Sequence, residues 1–508
     1  MEQSSQLNDY FAFRWLALMG LGLAIAFINI DLTIVNVALP VIAREFHSSL
    51  VELQWVNNAY NLGITCGVIL IGRIADQYGH KKVFLIGVTI FFLGSLLSGL
   101  APNSTFLITA RVIQGIGMAG TFTMIFILAT RAFPESQQAF AIGVVVLFTG
   151  VSQALGPSLG GIILHYLSWR WIFYLNLPLC VLTIVICWFA CAKDTVFQKQ
   201  FNHIPSVGLL IFGLFLLLLA INQSQLWGLT STAFLLSFIF SIVILIILFL
   251  WQFKLVQPFI EFDLFKIKDF ALMNCIRPLF QFNFGVYLFL IPIYLQNILG
   301  YSPLYTGLLL LLMSGVLGVS APLTGKITDK IGTKYPCFIA QCLSAISFIA
   351  LFLSLQWQTF WLMAISFVLI GINVGAMYAT TNFSVVTCLP KEKKGSGTGI
   401  FVTIAFYAYS LGIAIAGLVI SLVAKYVYLH QLTDITHIHK FPEVLKFYIT
   451  GAKPLDHLQK LGLPDTAAKM LAVKHAFIVG YQVVLIICTV IALISLYFIQ
   501  KLDNIKPE

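Results

Sequence analysis

The sequence predicts an all-α integral membrane protein with fourteen transmembrane helices, arranged as two six-helix bundles plus two inserted helices. Three observations support this fold class. The chain is 59% hydrophobic and only 9% charged, which leaves too little polar surface to cover a water-soluble globule of 508 residues. Apolar runs recur along it, each long enough, at about 20 residues, to cross a hydrocarbon core about 30 Å thick. A polar turn also occurs twice, at matching places in the two halves of the chain.

The predicted spans are helices rather than barrel strands, because their apolar runs show none of the in-and-out alternation of a transmembrane strand. The first span is too long for the core of a signal peptide and has no small-residue cleavage site after it, so we expect it to be retained. In order, the predicted spans are 15–39, 53–72, 83–101, 104–130, 139–165, 171–192, 206–226, 232–252, 271–297, 303–324, 336–356, 359–389, 398–424 and 476–499.

The lysines and arginines of the short loops predict the orientation of these helices. An even number of spans places both termini on one side of the membrane, and the short loops of the other side contain only Arg44 and Arg170. Cytoplasmic loops hold an excess of basic residues, so both termini are predicted to be cytoplasmic. The net charge of +10 then indicates contact with anionic membrane lipid, and not with nucleic acid, since no basic patch is interleaved with aromatic residues on a soluble domain.

The repeated turn indicates that the chain is a duplication. The stretch GRIADQYGHKK (72–82) returns as GKITDKIGTK (325–334), with Gly, Asp, Gly and Lys at the same relative positions. Each copy follows the second span of its half, so that six spans in each half flank two further spans, a parallel repeat of the kind found in transporters. The predicted units are a first bundle at 1–200, the inserted helices and linker at 201–268, and a second bundle at 269–508 that includes a long external loop at 425–475.

Asp31 is the only acidic residue that we place deep within a span, where a carboxylate is costly enough to suggest a function. At 1.5 Å per residue, Asp31 lies about 13 Å and Arg111 about 12 Å from the outer ends of their helices, so the two depths match. Burial disfavours the ionised carboxylate and a nearby cation favours it, so its charge can follow conformation, as proton coupling requires. Two plainer alternatives stay open: Asp31 capped by Thr33 or a neighbouring asparagine, and Arg111 snorkelling to the outer surface.

Arg277, about two turns into the ninth span and beside Pro278, is the other intramembrane charge. It either snorkels to the inner surface or takes part in substrate binding or gating. Amides and phenols near the middle of other spans are candidates to line a central cavity, although each one alone is explained as well by hydrogen bonds between helices. These candidates are Asn57, Asn58, Asn61, Gln281, Asn283, Asn373, Tyr378 and Asn382.

The turn at 72–82 resembles the G-x-L-a-D-r-x-G-r-k signature of the major facilitator superfamily. Other segments resemble motifs of its fourteen-span drug:proton antiporter branch, in family order and on the expected spans. Gln77 and His80 depart from the signature, since the family usually has basic residues there. The matching segments are DLTIVNVALP (31–40), LQWVNNAY (53–60), RVIQGIGMAG (111–120), GPSLGG (156–161) and WRWIFYLNLP (169–178).

The resemblance assigns roles to individual residues. Arg111 and Gln114 match the proton-relay motif of the fourth span, and Gln114 lies three residues after Arg111, on much the same helix face. The repeated turns match the gating motif that holds the inner ends of the bundles together. The exporter motif of the fifth span matches Gly156, Pro157, Gly160 and Gly161. The gating residues are Gly72, Arg73, Asp76, Gly79 and Lys81 in the first half, and Gly325, Asp329 and Gly332 in the second.

The resemblance therefore implies the major facilitator fold and a proton-driven multidrug exporter that works by alternating access in a bacterial cytoplasmic membrane. Its partners would be protons and small lipophilic compounds, with cationic ones able to compete for Asp31, and it would need no cofactor and no metal. An importer or uniporter of a metabolite is the nearest rival. A membrane enzyme is less well supported, because no Ser–His–Asp arrangement, zinc motif or second buried carboxylate is found. Whether a periplasmic adaptor and outer-membrane channel assist the pump is left open.

Overall fold

A computed structural model describes residues 2–134, 137–191, 204–255, 261–390, 393–431 and 466–504. Within these ranges the chain is helical and contains no strand, which confirms the all-α fold class. The helices are α1 (Glu2–Phe46), α2 (Leu50–Tyr78), α3 (His80–Gly99), α4 (Ser104–Ala132), α5 (Gln138–Tyr166), α6 (Arg170–Tyr174), α7 (Asn176–Ala190), α8 (Ile204–Trp227), α9 (Thr232–Lys254), α10 (Lys268–Ile293), α11 (Pro303–Ile331), α12 (Lys334–Trp357), α13 (Phe360–Cys388), α14 (Lys394–Gln431) and α15 (Thr466–Gln500).

Thirteen helical segments of the described chain are long and apolar enough to cross a membrane. The helix α2, with 29 residues, is not among the thirteen. It carries the amides Asn57, Asn58 and Asn61 of the second predicted span. The thirteen segments and α2 together account for the fourteen predicted spans. The sixth span is split into α6 and α7, because Pro178 has no N–H to donate to the carbonyl of Tyr174. Most of the predicted external loop, from 432 to 465, lies outside the described residues.

Close packing between α2 and α4 is repeated between α11 and α13, as expected for a duplication. A Cβ atom added to Gly115 would run into the carbonyl of Tyr60, and one added to Gly371 would run into the carbonyl of Met313. Gly115 and Gly371 are each the twelfth residue of their helix. Small residues allow this approach, since backbones can meet only where side chains are absent. We refer to α1 to α7 as the first half and to α10 to α15 as the second half.

We call the end of the bundle that holds the turns at 72–82 and 325–334 the basic end. Side chains of the two halves are in contact at the opposite end. There Gln296 donates to the carbonyl of Val37 at 2.9 Å and accepts from Arg44 at 3.4 Å, and Gln54 donates to the carbonyl of Ile413 at 2.8 Å. The structure is thus closed at the opposite end.

The first inserted helix, α8, lies along the seam between α2 and α14. Gln225 of α8 donates to Gln54 of α2 at 2.8 Å, and Tyr407 of α14 donates to the carbonyl of Leu214 at 2.9 Å. The ring of Phe215 lies 6.3 Å from that of Trp55. The inserted helices accordingly pack at the side of the two bundles.

Candidate functional site

The centre of the first half is a buried ion pair. The guanidinium of Arg111 donates from Nη1 to Oδ2 of Asp31 at 2.6 Å, and the exposed fractions of the two side chains are 1% and 0%. Gln114 and Asn176 each donate to the other carboxylate oxygen at 2.9 Å. The carboxylate therefore accepts from three donors, the pattern expected of its ionised form.

The surroundings of Arg111 bury its charge without leaving it unpaired. Besides Asp31, the guanidinium donates to the carbonyl of Val56 at 3.2 Å and to Oε1 of Gln114 at 2.6 Å. It also lies over the ring of Tyr60, 4.0 Å from the centroid. The sequence-based alternative in which Arg111 snorkels to the surface is therefore wrong.

The other plain alternative, a capped Asp31, is not what the structure shows either. The hydroxyl of Thr33 donates to the carbonyls of Asn29 and Ile30, at 2.9 and 3.2 Å, and so is turned towards its own helix. Asp31 instead takes all its recorded partners from α4 and α7. An ion pair between helices can be made and broken as they move, which a cap within one helix cannot.

Ser95 connects the amides that hold Asp31. It accepts from Gln114 at 3.2 Å and from Asn176 at 3.0 Å, and donates to the carbonyl of Phe173 at 2.9 Å. The sequence analysis did not single out Ser95, Asn176 or Tyr60 as site residues. Asn176 and Tyr60 could have been found, because they lie within the quoted segments WRWIFYLNLP and LQWVNNAY. Ser95 carried no signal of its own.

The same segment is anchored at the opposite end of the bundle. Trp169 and Arg170 each donate to the carboxylate of Glu45 at 2.7 Å, and Arg170 also donates to the carbonyl of Ala101 at 3.2 Å. These contacts fix the start of α6 against α1 and α3. Because α7 follows directly, they also set where Asn176 meets Asp31.

Gly161 of the GPSLGG segment lies at a close backbone contact between the halves. A Cβ atom on Gly161 would lie 2.8 Å from the carbonyl of Pro303 and 3.1 Å from Cα of Gly307. A Cβ atom on Gly307 would in turn lie 2.6 Å from the carbonyl of Pro157. Within the first half, a Cβ atom on Gly156 would run into Thr33 of α1, and one on Gly160 would run into Ile34 of α1. The segment thus seals the opposite end through backbone contact between α5 and α11.

The glycines of the two basic turns fall into two groups. Gly79 and Gly332 have positive φ angles of 99° and 87°, a conformation that favours glycine, and each ends a helix. Gly72 and Gly325 have no heavy atom near the place of a Cβ. The side chains of Arg73, Asp76 and Asp329 lie outside the described part of the structure. For these residues of the turns, the structure therefore shows the backbone conformation and not the side-chain contacts.

Each turn is tied to the end of the last helix of its half. Lys81 donates from Nζ to the carbonyls of Trp188 and Cys191, at 2.7 and 2.5 Å, at the end of α7. In the second half, Asn504 follows α15 and donates to the carbonyl of Ile331, at the end of α11, at 2.8 Å. A cation at a helix C-terminus satisfies free carbonyls and complements the helix dipole.

Arg277 is the charged residue within the predicted spans of the second half. Its side chain is 6% exposed, so it does not snorkel. Its recorded hydrogen bond runs from Nη1 to the hydroxyl of Thr381 at 2.8 Å, and its Nε is buried with no hydrogen-bond partner. The guanidinium lies 4.2 Å from the ring centroid of Tyr378, with Phe280 and Phe401 at 5.4 and 5.5 Å. Among the described residues, no carboxylate forms an ion pair with it.

Comparison with known proteins identifies the family. The sequence profile of the Major Facilitator Superfamily matches residues 21–262 and 275–429. The chain belongs to the Major Facilitator Superfamily. The fold of this major facilitator is also similar to that of a bacterial homologue of the human lysosomal transporter Spinster, with a TM-score of 0.67 at 15% identity over 98% of this chain and 99% of that one.

Relatives of this major facilitator carry several names. It is 31% identical over 417 residues, 80% of this chain and 76% of the relative, to the multidrug resistance protein Stp of Mycobacterium tuberculosis. It is 27% identical, over 80% of this chain and 76% of the relative, to a tetracenomycin C resistance and export protein of Streptomyces glaucescens. It is 28% identical, over 79% of this chain and 87% of the relative, to the riboflavin transporter RibZ of Clostridioides difficile.

The remaining cavity candidates of this major facilitator separate by their contacts. Asn283 and Asn373 donate to the carbonyls of Cys488 and Ala340, both at 2.9 Å, so they join helices within the second half. Asn57 donates to Asn36 at 2.8 Å and its carbonyl accepts from Asn61 at 3.0 Å.

Asn58 and Gln281 are buried and keep side-chain atoms without a hydrogen-bond partner, namely both amide atoms of Asn58 and Oε1 of Gln281. Tyr378 is half-buried, and Asn382, one turn further along α13, is exposed. Asn61, Asn283 and Asn373 also keep a buried Oδ1 atom without a partner, so unused bonding capacity is shared by most of the predicted cavity residues.

Proposed function

We propose that this major facilitator is a proton-driven exporter of lipophilic small molecules. It would work by alternating access in a bacterial cytoplasmic membrane, with the basic end and both termini on the cytoplasmic side. The observation that carries the proposal is the Asp31–Arg111 pair, buried at mid-membrane and held between three helices. An intramembrane carboxylate in reach of a single cation can exist in a paired, ionised state and in a protonated, neutral state.

Protonation of Asp31 changes what holds α1 against α4. In the ionised state Asp31 joins Arg111, Gln114 and Asn176. A proton on the carboxylate removes the charge opposite Arg111, whose guanidinium keeps the Val56 carbonyl and the Tyr60 ring. The two protonation states therefore favour different packing of α1, which is a bistable element that a proton gradient can bias.

The seam at the opposite end is the gate through which the substrate would leave. The α5 and α11 backbones touch at Gly161 and Gly307, and Gln296 and Gln54 complete the closure. We propose that substrate enters from the basic end while Asp31 is ionised. Opening of the seam releases the substrate outward, and a proton taken from outside then returns the carrier to the closed form.

The names of two relatives, a multidrug resistance protein and a resistance and export protein, support outward transport. The name of a third, a riboflavin transporter, supports a second candidate, a carrier dedicated to one metabolite. Both candidates use the same seam and the same ion pair. They differ in the breadth of substrates and in the direction of movement relative to protons.

The test is transport by purified protein in proteoliposomes with an acidic interior, using ethidium and naphthalene-2-sulfonate as probes. We expect the wild type to accumulate at least one probe while protons leave, and Asp31→Asn to lose this response. The matched control is Asp263→Asn, which removes an exposed carboxylate at the basic end and leaves coupling intact. An equal response in Asp31→Asn would exclude coupling at this residue, and movement of probe with protons would favour the importer.

A further inference from the structure

We propose that the substrate of this exporter is an amphipathic organic anion whose negative group binds Arg277 and whose ring system packs against Phe280 and Tyr378. The inference rests on the proposed export function and names the substrate class. It replaces the cationic substrate that Asp31 suggested from the sequence. Four features of the structure carry it.

The first feature is the balance of charge inside the membrane. The fourteen predicted spans contain three charged residues, Asp31, Arg111 and Arg277. Asp31 and Arg111 neutralise each other at 2.6 Å, which leaves the charge of Arg277 uncompensated. No Asp or Glu occurs in any predicted span of the second half. A substrate that brings a negative charge would complete this balance, whereas a cation would meet a positive site.

The second feature is the unused bonding capacity of Arg277. A guanidinium offers five N–H donors in a planar fork that suits carboxylates, sulfonates and phosphates. The hydrogen bond to Thr381 uses Nη1. Nε has no hydrogen-bond partner, although Arg277 is only 6% exposed. Buried donors are nearly always paired in proteins, so an unpaired guanidinium N–H within a span favours a ligand there.

The third feature is the aromatic surface that continues from the guanidinium. The rings of Phe280 and Phe284 are stacked at 6.1 Å, and Tyr378 meets their edges at 5.5 and 6.3 Å. Tyr409 extends the cluster, 6.2 Å from Phe284, and lies beside Asn36 of the first half. Aromatic faces bind flat apolar groups at offset or edge contacts. The cluster therefore forms an aromatic surface that extends from Arg277 towards the seam of the two halves.

The fourth feature is a route of access from the basic end. The helix α13 ends there, and its Asn382 lies one turn beyond Tyr378 on much the same face. Asn382 is exposed, Tyr378 is half-buried and Arg277 is buried. An exposed amide at this depth is far more stable against water than against lipid. The gradient of exposure therefore leads from water at the basic end, past Tyr378, to the guanidinium.

The experiment measures binding without any proton gradient, by equilibrium dialysis of the wild-type protein in nanodiscs. The probes are naphthalene-2-sulfonate and (2-naphthyl)trimethylammonium, which share one ring system and carry opposite charges. We expect the sulfonate to bind at least about tenfold more tightly, as a charge-assisted contact should. Tighter binding of the trimethylammonium probe to the wild type would overturn the proposal, whatever any variant does.

Three variants localise the effect. Arg277→Gln should weaken sulfonate binding by about 30-fold and leave the cation within about threefold, because only the anion uses the guanidinium. Arg277→Lys should bind the sulfonate with intermediate affinity, since it keeps the charge and loses the planar fork. Arg131→Gln, which removes a guanidinium from the basic end of α4, is the matched control and should bind like the wild type. Unchanged sulfonate affinity in a folded Arg277→Gln protein would refute the site.

Failure of the anion-binding proposal can be distinguished from failure of the export proposal. Asp31→Asn should retain sulfonate binding while losing gradient-driven transport, since Asp31 belongs to the coupling network and not to the binding surface. Loss of coupling in Asp31→Asn with no preference between the two probes would support export and reject the anion. A clear preference for the sulfonate with normal coupling in Asp31→Asn would support the anionic substrate and reject the proposed coupling at Asp31.

Discussion

The two halves of the molecule share one helical repeat but differ in the charges at their centres. Arg111 is the eighth residue of α4, and the eighth residue of α13, the corresponding helix, is Phe367. Arg111 pairs with Asp31, whereas Phe367 packs edge-on against Tyr287 at 6.1 Å. The only charge within the spans of the second half is Arg277, and it has no acidic partner among the described residues. The two halves thus share one helical framework, and our proposals assign proton coupling to the first half and substrate binding to the second.

The largest contrast between the halves should appear in stability. Arg111→Gln leaves Asp31 buried without its cation, and breaking such a pair costs about 3–5 kcal/mol. Arg277→Gln removes a buried charge that has no acidic partner among the described residues, so it should leave the free energy of unfolding unchanged or raise it. Thermal unfolding of both variants in the same detergent measures the difference.

The double variant Asp31→Asn with Arg111→Gln sharpens this prediction. It should be more stable than Arg111→Gln alone, because no uncompensated charge is left in the first half. Equal destabilisation by Arg111→Gln and Arg277→Gln would show that the two arginines are equivalent, and would contradict the contrast between the halves.

A second prediction concerns the seam where the halves meet. Gly161→Val places a side chain against the Pro303 carbonyl and Gly307, so the opposite end cannot close. Overpacking of this kind costs about 1–3 kcal/mol. We therefore expect the transport rate to fall by about tenfold or more. Gly143→Val is the control on the same helix, since a Cβ there meets open space. The readout is the initial transport rate in proteoliposomes, and equal loss in both variants would mean that the helix, not the seam, is sensitive.

A third prediction compares two buried amides. Asn176→Ala removes one of the three donors to Asp31, and hydrogen bonds to a charged group are each worth about 1.5–3 kcal/mol. Asn283→Ala removes a bond to the Cys488 carbonyl, worth about 0.5–1.5 kcal/mol. We expect gradient-driven transport to drop clearly for the first variant, while the second loses stability alone. The ratio of gradient-driven flux to equilibrium exchange separates the two, and a normal ratio in Asn176→Ala would remove this residue from the coupling network.

The smallest effects should come from the basic turns. Lys81→Met and Asn504→Ala each remove contacts to the free carbonyls of a helix end, and such contacts are typically worth about 0.3–1 kcal/mol. Both variants should show small, similar decreases in melting temperature. A much larger loss for Lys81→Met alone would show that the turns of the two halves have diverged, as the two centres have.

Several parts of this molecule could be predicted because they depend on neighbours in the chain. Hydropathy placed the spans, and the repeated Gly-Asp-Gly-Lys turn revealed the duplication, since both patterns lie within a few helical turns. The matched depths of Asp31 and Arg111 followed from the helical rise alone. Pro178 marked a break that the predicted span 171–192 overlooked, because its apolar run is continuous.

Other parts depend on how the helices rotate and pack, and no local pattern contains that information. Asn176 and Ser95 look like ordinary polar residues until three helices bring them to one carboxylate. Nothing in the sequence distinguishes Asn382, which is exposed, from Asn373, which bonds a neighbouring helix. The residues alone decided that three charges lie within the membrane. Only the tertiary structure decided that two of them neutralise each other and the third does not, because pairing requires side chains from distant helices to meet within hydrogen-bond distance.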